Sequence, residues 1–224
     1  MKMQIDLRVA QLLSSRICHD LVGPIGAINT GLELIAEGLD DDGAAKGLTV
    51  KSASEANRRL AFYRTAFGYG SNTIASAGWN AALEDARNLS EGFLKSSKVQ
   101  LEWQEVPLDL KDQAPPSAIK IILNLVLMAY ESLPRGGKVC LSFAMLKEGF
   151  GVGLTFAGEG ASLREDLIKA LEKNKELEID ALSARNVHAY LAQCLAIELG
   201  SFIEYSEGSN REVQLAILFS ETVD

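Results

Sequence analysis

Apolar side chains recur at three- and four-residue intervals from residue 5 to residue 70, the repeat of helices buried along one side. The pattern predicts a first helix from about Ile5 to Gly38 and a second from about Ala44 to Phe67. The acidic turn Asp40-Asp41-Asp42-Gly43 separates them and reads as a solvated loop. The seam of the second helix is Ala45, Ala53, Ala56, Leu60, Tyr63 and Phe67. Two helices alone cannot bury stripes this long on both members. A hairpin from a second copy would complete a four-helix bundle, so a two-fold dimer is expected.

From residue 80 the period changes and alternation appears. Helices are predicted at about Asn80–Lys95, Pro116–Leu133, Ser162–Lys173 and Ala181–Leu199. Strands are predicted at Val99–Gln104, Lys138–Leu146, Gly151–Phe156, Ser201–Ser206 and Glu212–Phe219. Pro115-Pro116-Ser117 opens a helix, and Pro134 with Gly136-Gly137 closes it. Between the halves lies Gly68-Tyr-Gly-Ser-Asn-Thr-Ile-Ala-Ser-Ala-Gly78, rich in small and turn-forming residues. The expected class is α+β: a helical hairpin over residues 1–70 and an α/β sandwich over residues 79–224.

Composition narrows the function. Hydrophobic residues make up 47% of 224, enough for a sizeable core. The net charge of −8 makes general binding to nucleic-acid backbones a poor expectation. Cys18, Cys140 and Cys194 match neither a zinc spacing nor a disulfide framework and read as reduced thiols, hence a cytosolic setting. The charged start, with Lys2, Asp6, Arg8 and Arg16, does not read as a signal peptide. No apolar run is long enough to suggest a membrane span.

The two histidines are unequal. With about 100° per residue and His19 set at zero, Ile17, Leu21, Pro24, Ile28, Leu32, Ile35 and Leu39 fall at roughly 140–220°. Ser15, Gly23, Gly26 and Thr30 fall within about 40° of the histidine. His19 therefore stands opposite the apolar stripe, among small residues. A helical glycine costs about 1 kcal/mol against alanine, so Gly23, Gly26 and Gly31 call for a reason such as close approach of a partner. Geometry alone leaves open a surface histidine among chance glycines. His188, set among Val187, Tyr190 and Leu191, reads as structural, and Cys18 as packing.

Residues 19 to 28, His-Asp-Leu-Val-Gly-Pro-Ile-Gly-Ala-Ile, resemble the H-box of dimeric histidine kinases. His19, Asp20, Leu21, Pro24, Ile25, Ala27 and Ile28 match it. An imidazole nitrogen is a good phosphoryl nucleophile near neutral pH, because much of it is unprotonated. Asp20 would favour the required tautomer or the charge developing on the ring. Pro24 would bend the helix one turn further on.

The second half resembles the ATP-binding domain of those kinases with its chemistry missing. Leu123-Asn-Leu-Val-Leu-Met-Ala129 looks like an N-box whose second Asn, expected to hold magnesium, is Met128. A thioether is no oxygen ligand for Mg²⁺. In Phe156-Ala-Gly-Glu-Gly160 the adenine-reading Asp is Ala157, while Gly158 and Gly160 remain. Ser183-Ala-Arg-Asn-Val-His-Ala-Tyr190 stands where a glycine-rich lid would be.

An H-box hairpin followed by a degenerate ATPase-like domain is similar to the ChpT family of histidine phosphotransferases. Arg16 to Leu34 and Ser183 to Tyr190 carry the likeness in particular. The resemblance implies a phosphorelay between receiver domains of a hybrid histidine kinase and of response regulators that control the cell cycle. It implies catalysis by His19 with Asp20, and receiver docking on Arg16, Gly23, Gly26 and Thr30. It further implies no ATP binding, no metal site of the chain's own, and Mg²⁺ supplied by the receiver. The competing expectations are an ATP-dependent kinase, against which Met128 and Ala157 speak, and a dimeric adaptor that binds receivers without accepting phosphate.

Overall fold

A computed structural model describes residues 7–40, 42–68, 78–106, 117–172, 179–208 and 211–220. The expected helix starts at Ile5 and Pro115-Pro116, and the boundary stretch at 69–77, lie outside the described residues. The expected helix end at Lys173 also lies outside them. The helix expected from Ala181 begins at Val187, after a 3₁₀ turn at Ile179–Ala181. The other elements read from the pattern are present within a few residues of their expected bounds.

Helix α1 (Leu7–Ala36) and helix α2 (Ala44–Phe67) form an antiparallel hairpin. The acidic turn between them does more than stay solvated. Asp40 accepts hydrogen bonds from the backbone N–H groups of Ala45 (2.7 Å) and Lys46 (3.1 Å), and Asp42 accepts one from Ala44 (3.0 Å). These carboxylates satisfy donors that the first turn of α2 cannot pair internally. Helix α1 runs through Pro24 without interruption.

The second half opens with α3 (Trp79–Leu94) and β1 (Val99–Trp103), followed by α4 (Ser117–Glu131). The hairpin β2 (Gly137–Leu146) and β3 (Gly149–Ala157) leads into α5 (Glu165–Leu171) and a single turn of 3₁₀ helix at Ile179–Ala181. Then come α6 (Val187–Glu198), β4 (Ile203–Glu207) and β5 (Glu212–Ser220). The sheet order is β1-β2-β3-β5-β4, parallel between β1 and β2 and antiparallel elsewhere. Alternation places Val139, Leu141, Phe143, Val152, Leu154, Leu215 and Ile217 on the buried face. Helix α4 is largely apolar and buried from Ile119 to Ala129, with Lys120 partly exposed and Asn124 its buried polar residue.

One core joins the halves. Phe62, Tyr63 and Ala66, near the end of α2, belong to the same buried cluster as Phe93, the residues of α4 and the sheet. Phe62 stacks on Phe93 with ring centroids 4.3 Å apart, and Tyr63 on Phe67 at 5.3 Å. Trp79 meets Phe150 edge-on and Trp103 leans on Phe143.

The apolar stripe of the hairpin is only partly covered by its own chain. Leu32, Ile35, Leu39 and Leu60 are exposed, and Ile17, Leu21, Pro24 and Ile28 are half-buried. The face of α1 turned to α2 is narrower, with Gly31 at its closest point. A Cβ on Gly31 would stand 2.2 Å from Thr49 Oγ1 and 2.9 Å from the Ala45 carbonyl. The close approach that explains this glycine is therefore internal. Gly23 and Gly26 meet nothing within 4 Å.

Candidate functional site

Near the middle of α1 the His19 side chain is 85% exposed. Gly23, Gly26 and Thr30 lie exposed along the following two to three turns. Asp20 is one position on and turns inward. Its Oδ1 is 3.0 Å from His19 Nδ1, and its Oδ2 accepts a hydrogen bond from the Tyr63 hydroxyl of α2. An ionised carboxylate only accepts, so this contact calls for a proton on Nδ1 and leaves the lone pair on Nε2.

Arg16, one turn before Asp20, was expected to face a docking receiver. It is instead 5% exposed and turned into the protein. Its guanidinium bonds Glu131 at the end of α4, donates to the Ala184 carbonyl (3.0 Å) and lies 3.8 Å from Asp20 Oδ2. Burial works against its charge, but Glu131, with Tyr63 and Asp20, more than offsets it and holds the guanidinium above its ordinary pKa. Its two terminal nitrogens are engaged within the chain, so Arg16 lines the inner side of the cleft rather than the outward face that carries His19, Gly23, Gly26 and Thr30. Cys18, expected to pack, is exposed on the outward side of α1.

Under Arg16 lies His188, fully buried at the start of α6. Burial, then the charges of Arg16 and Arg164, push its pKa well below the ordinary histidine value. The neutral ring accepts from Arg16 at Nδ1 (3.2 Å) and points Nε2–H toward Glu131 at 3.6 Å. Arg164 reaches Glu131 at 3.4 Å and donates to the Arg185 carbonyl at 2.8 Å. Ser15, Arg16, His19 and Asp20 thus form one wall of a cleft of about 430 Å³, and Glu131, Arg164, Ala184 and Arg185 the other. Asn186 ties the segment opposite α1 into a compact turn, accepting from the Ser183 N–H at 2.8 Å.

The residues read as remnants of a nucleotide site have other occupations. Asn124 is buried, with its amide donating to the carbonyls of Ala66 (3.2 Å) and Lys120 (2.7 Å). Met128 is fully enclosed. Gly158 survives in a tight turn, where a Cβ would stand 2.4 Å from the Gly136 carbonyl. Among the described residues no three His, Cys, Asp or Glu side chains group to hold a metal, and no helix is long and apolar enough to cross a membrane.

Residues 83–211 match the model of the histidine phosphotransferase C-terminal domain. The chain belongs to the histidine phosphotransferase family. The protein phosphotransferase ChpT of Brucella abortus (strain 2308) is 34% identical over 199 residues, covering 87% of this chain and 88% of that one. The solved structure of a bacterial phosphotransferase superposes with a TM-score of 0.76 at 27% identity, over 96% of this chain and 98% of its own. A histidine kinase, ThkA, solved in complex with the response regulator TrrA, shares the fold at a TM-score of 0.51 and 17% identity. It is covered over 61% of its length and covers 93% of this chain. As a member of its family the chain is a phosphotransferase of a phosphorelay.

His19, Gly23, Gly26 and Thr30 stand exposed on α1, as helix periodicity assigned them. Tyr63 entered only as a seam residue, and Glu131 and Arg164 not at all. A tyrosine among alanines in a helical seam was the one local signal, because a buried hydroxyl needs a partner.

Proposed function

We propose that the phosphoryl group is carried on His19 and passes between receiver domains of a hybrid histidine kinase and of cytosolic response regulators. The observation that carries this reading is an exposed imidazole whose Nδ1 is held by Asp20 at 3.0 Å, at the mouth of a cleft between the two halves. A receiver brings the phosphoryl group on an aspartate together with its own Mg²⁺, which neutralises the phosphoryl charge. Transfer then depends mainly on positioning. Gly23, Gly26 and Thr30 leave room for the receiver's loops.

The chain itself binds no ATP in this proposal. Asn124 is committed to backbone carbonyls, and Met128 offers only a thioether. The working unit is a homodimer. Its four-helix bundle would cover Ile25, Leu32, Ile35 and Leu39, which the single chain leaves exposed. Control of the cell cycle is the process that the family resemblance suggests.

The test is label transfer. A receiver domain phosphorylated with labelled acetyl phosphate and Mg²⁺ is mixed with the protein. Wild-type protein should take the label, and His19→Ala should take none while still binding the receiver. Labelled His19→Ala, or labelling of wild type by ATP without a receiver, would overturn the assignment.

A further inference from the structure

Tyr63 is 1% exposed, and its ring is fixed on three sides. It stacks on Phe67, meets Phe62 edge-on at 5.9 Å and meets Phe93 at 5.8 Å. From this rigid seat its hydroxyl reaches across the hairpin to Asp20 Oδ2. The same carboxylate presents its other oxygen to His19 Nδ1 at 3.0 Å. Asp20 is thus placed between a buried phenol and an exposed imidazole.

A carboxylate on a helix surface samples several rotamers. Pinning one oxygen from the buried side aims the other. Burial, then the bond to Asp20, push the Tyr63 pKa up, so its hydroxyl stays a donor throughout the neutral range.

We propose that Tyr63 is a positioning residue for phosphoryl transfer, holding Asp20 so that His19 keeps its proton on Nδ1 and offers Nε2 to the phosphorus. This rests on His19 as the phosphoryl acceptor. In the step itself the Nε2 lone pair forms the N–P bond. The P–O bond to the donor aspartate breaks, and its electron pair returns to that aspartate's carboxylate. The ring gains positive charge with its proton still on Nδ1, and Asp20 lies alongside to balance it. The return transfer is the same path reversed. Without the Tyr63 hydroxyl, Asp20 loses its fixed aim and the exposed ring shifts toward the Nε2–H tautomer, which has no lone pair at the attacking atom.

The experiment uses the full-length protein with two phosphodonors: phosphoramidate, which needs no receiver, and a receiver domain labelled with acetyl phosphate. Tyr63→Phe keeps the ring and removes the hydroxyl. The ring ¹⁵N resonances of His19 should move from an Nδ1-protonated pattern toward an Nε2-protonated one. Labelling by both donors should slow at least about fivefold, roughly 1 kcal/mol in the barrier, with receiver affinity unchanged. In an Asp20→Asn background, Tyr63→Phe should cause little further loss, since both act through one contact. An unchanged tautomer and rate, or losses that simply add, would sink the proposal while leaving His19 as acceptor. Wild-type protein labelled only at a residue other than His19 would overturn the acceptor reading and this proposal together. If Tyr63→Phe lowers the melting temperature, the ¹⁵N pattern of the folded variant still decides.

Discussion

His188 lies between Arg16 and Glu131 with Arg164 nearby, and burial, then the two arginine charges, hold its pKa well below the ordinary value. The folded chain therefore refuses a proton that the unfolded chain accepts near pH 6.5. His188 contributes its stability above that pH and loses it as the pH falls through the window below. The slope should approach about 1.4 kcal/mol per pH unit until the folded-state pKa is reached. Urea unfolding at pH 7.5 and 5.5, at fixed protein concentration, should show the drop. His188→Gln should flatten it, because the substitution removes the buried ring whose protonation opposes folding. An equal pH dependence in the two would mean that the buried ring is protonated or hydrated in the folded state. At this scale the sequence marked His188 as structural, but its polar seat was not legible. The groups around it come from α1, the end of α4 and the residue before α5, distant in the chain.

Within α1, three glycines look alike in the sequence and differ in the fold. Gly31 touches α2, where a Cβ would meet Thr49 Oγ1 and the Ala45 carbonyl. Gly31→Ala should destabilise by about 1–3 kcal/mol through overpacking of the hairpin. Gly26 faces open space. Gly26→Ala should be neutral or stabilising by up to about 1 kcal/mol, the helix-propensity difference. Denaturant titrations of the two variants should give opposite signs. Gly26→Trp should keep the fold and weaken receiver binding, measured by titration with a receiver domain. Equal binding would remove this face from the docking surface. Helix periodicity gave the angular position of each glycine. Which side α2 occupies is a property of the packed hairpin.

The whole chain exposes large apolar side chains along its hairpin, including Leu7, Val22, Ile25, Leu32 and Leu39. Exposed apolar area of this extent, arranged in a stripe, marks an interaction surface. Light scattering should give twice the 24.2 kDa chain mass. Leu32→Asp with Leu39→Asp should yield monomers that keep their fold, since both leucines are exposed and lie outside the buried core that joins the halves. A wild-type protein that remains a stable, active monomer at micromolar concentration would count against the bundle.

The sequence by itself determined the order and type of the elements, because apolar periodicity is local: 3.6 along the hairpin, 2 along the strands. It also put His19 on the outward face of α1, a matter of angle within one helix. The tertiary structure decided what surrounds that histidine. Tyr63 reaches Asp20 across 43 residues of chain, Arg16 reaches Glu131 across 115, and Arg16 meets His188 across 172. No periodic pattern encodes pairs at such separations. Arg16 shows the consequence: beside the H-box in sequence it reads as a docking residue, yet the packing of the hairpin on α4 and α6 buries it. A guanidinium closed into that interface is stabilised by a carboxylate, and Glu131 supplies it.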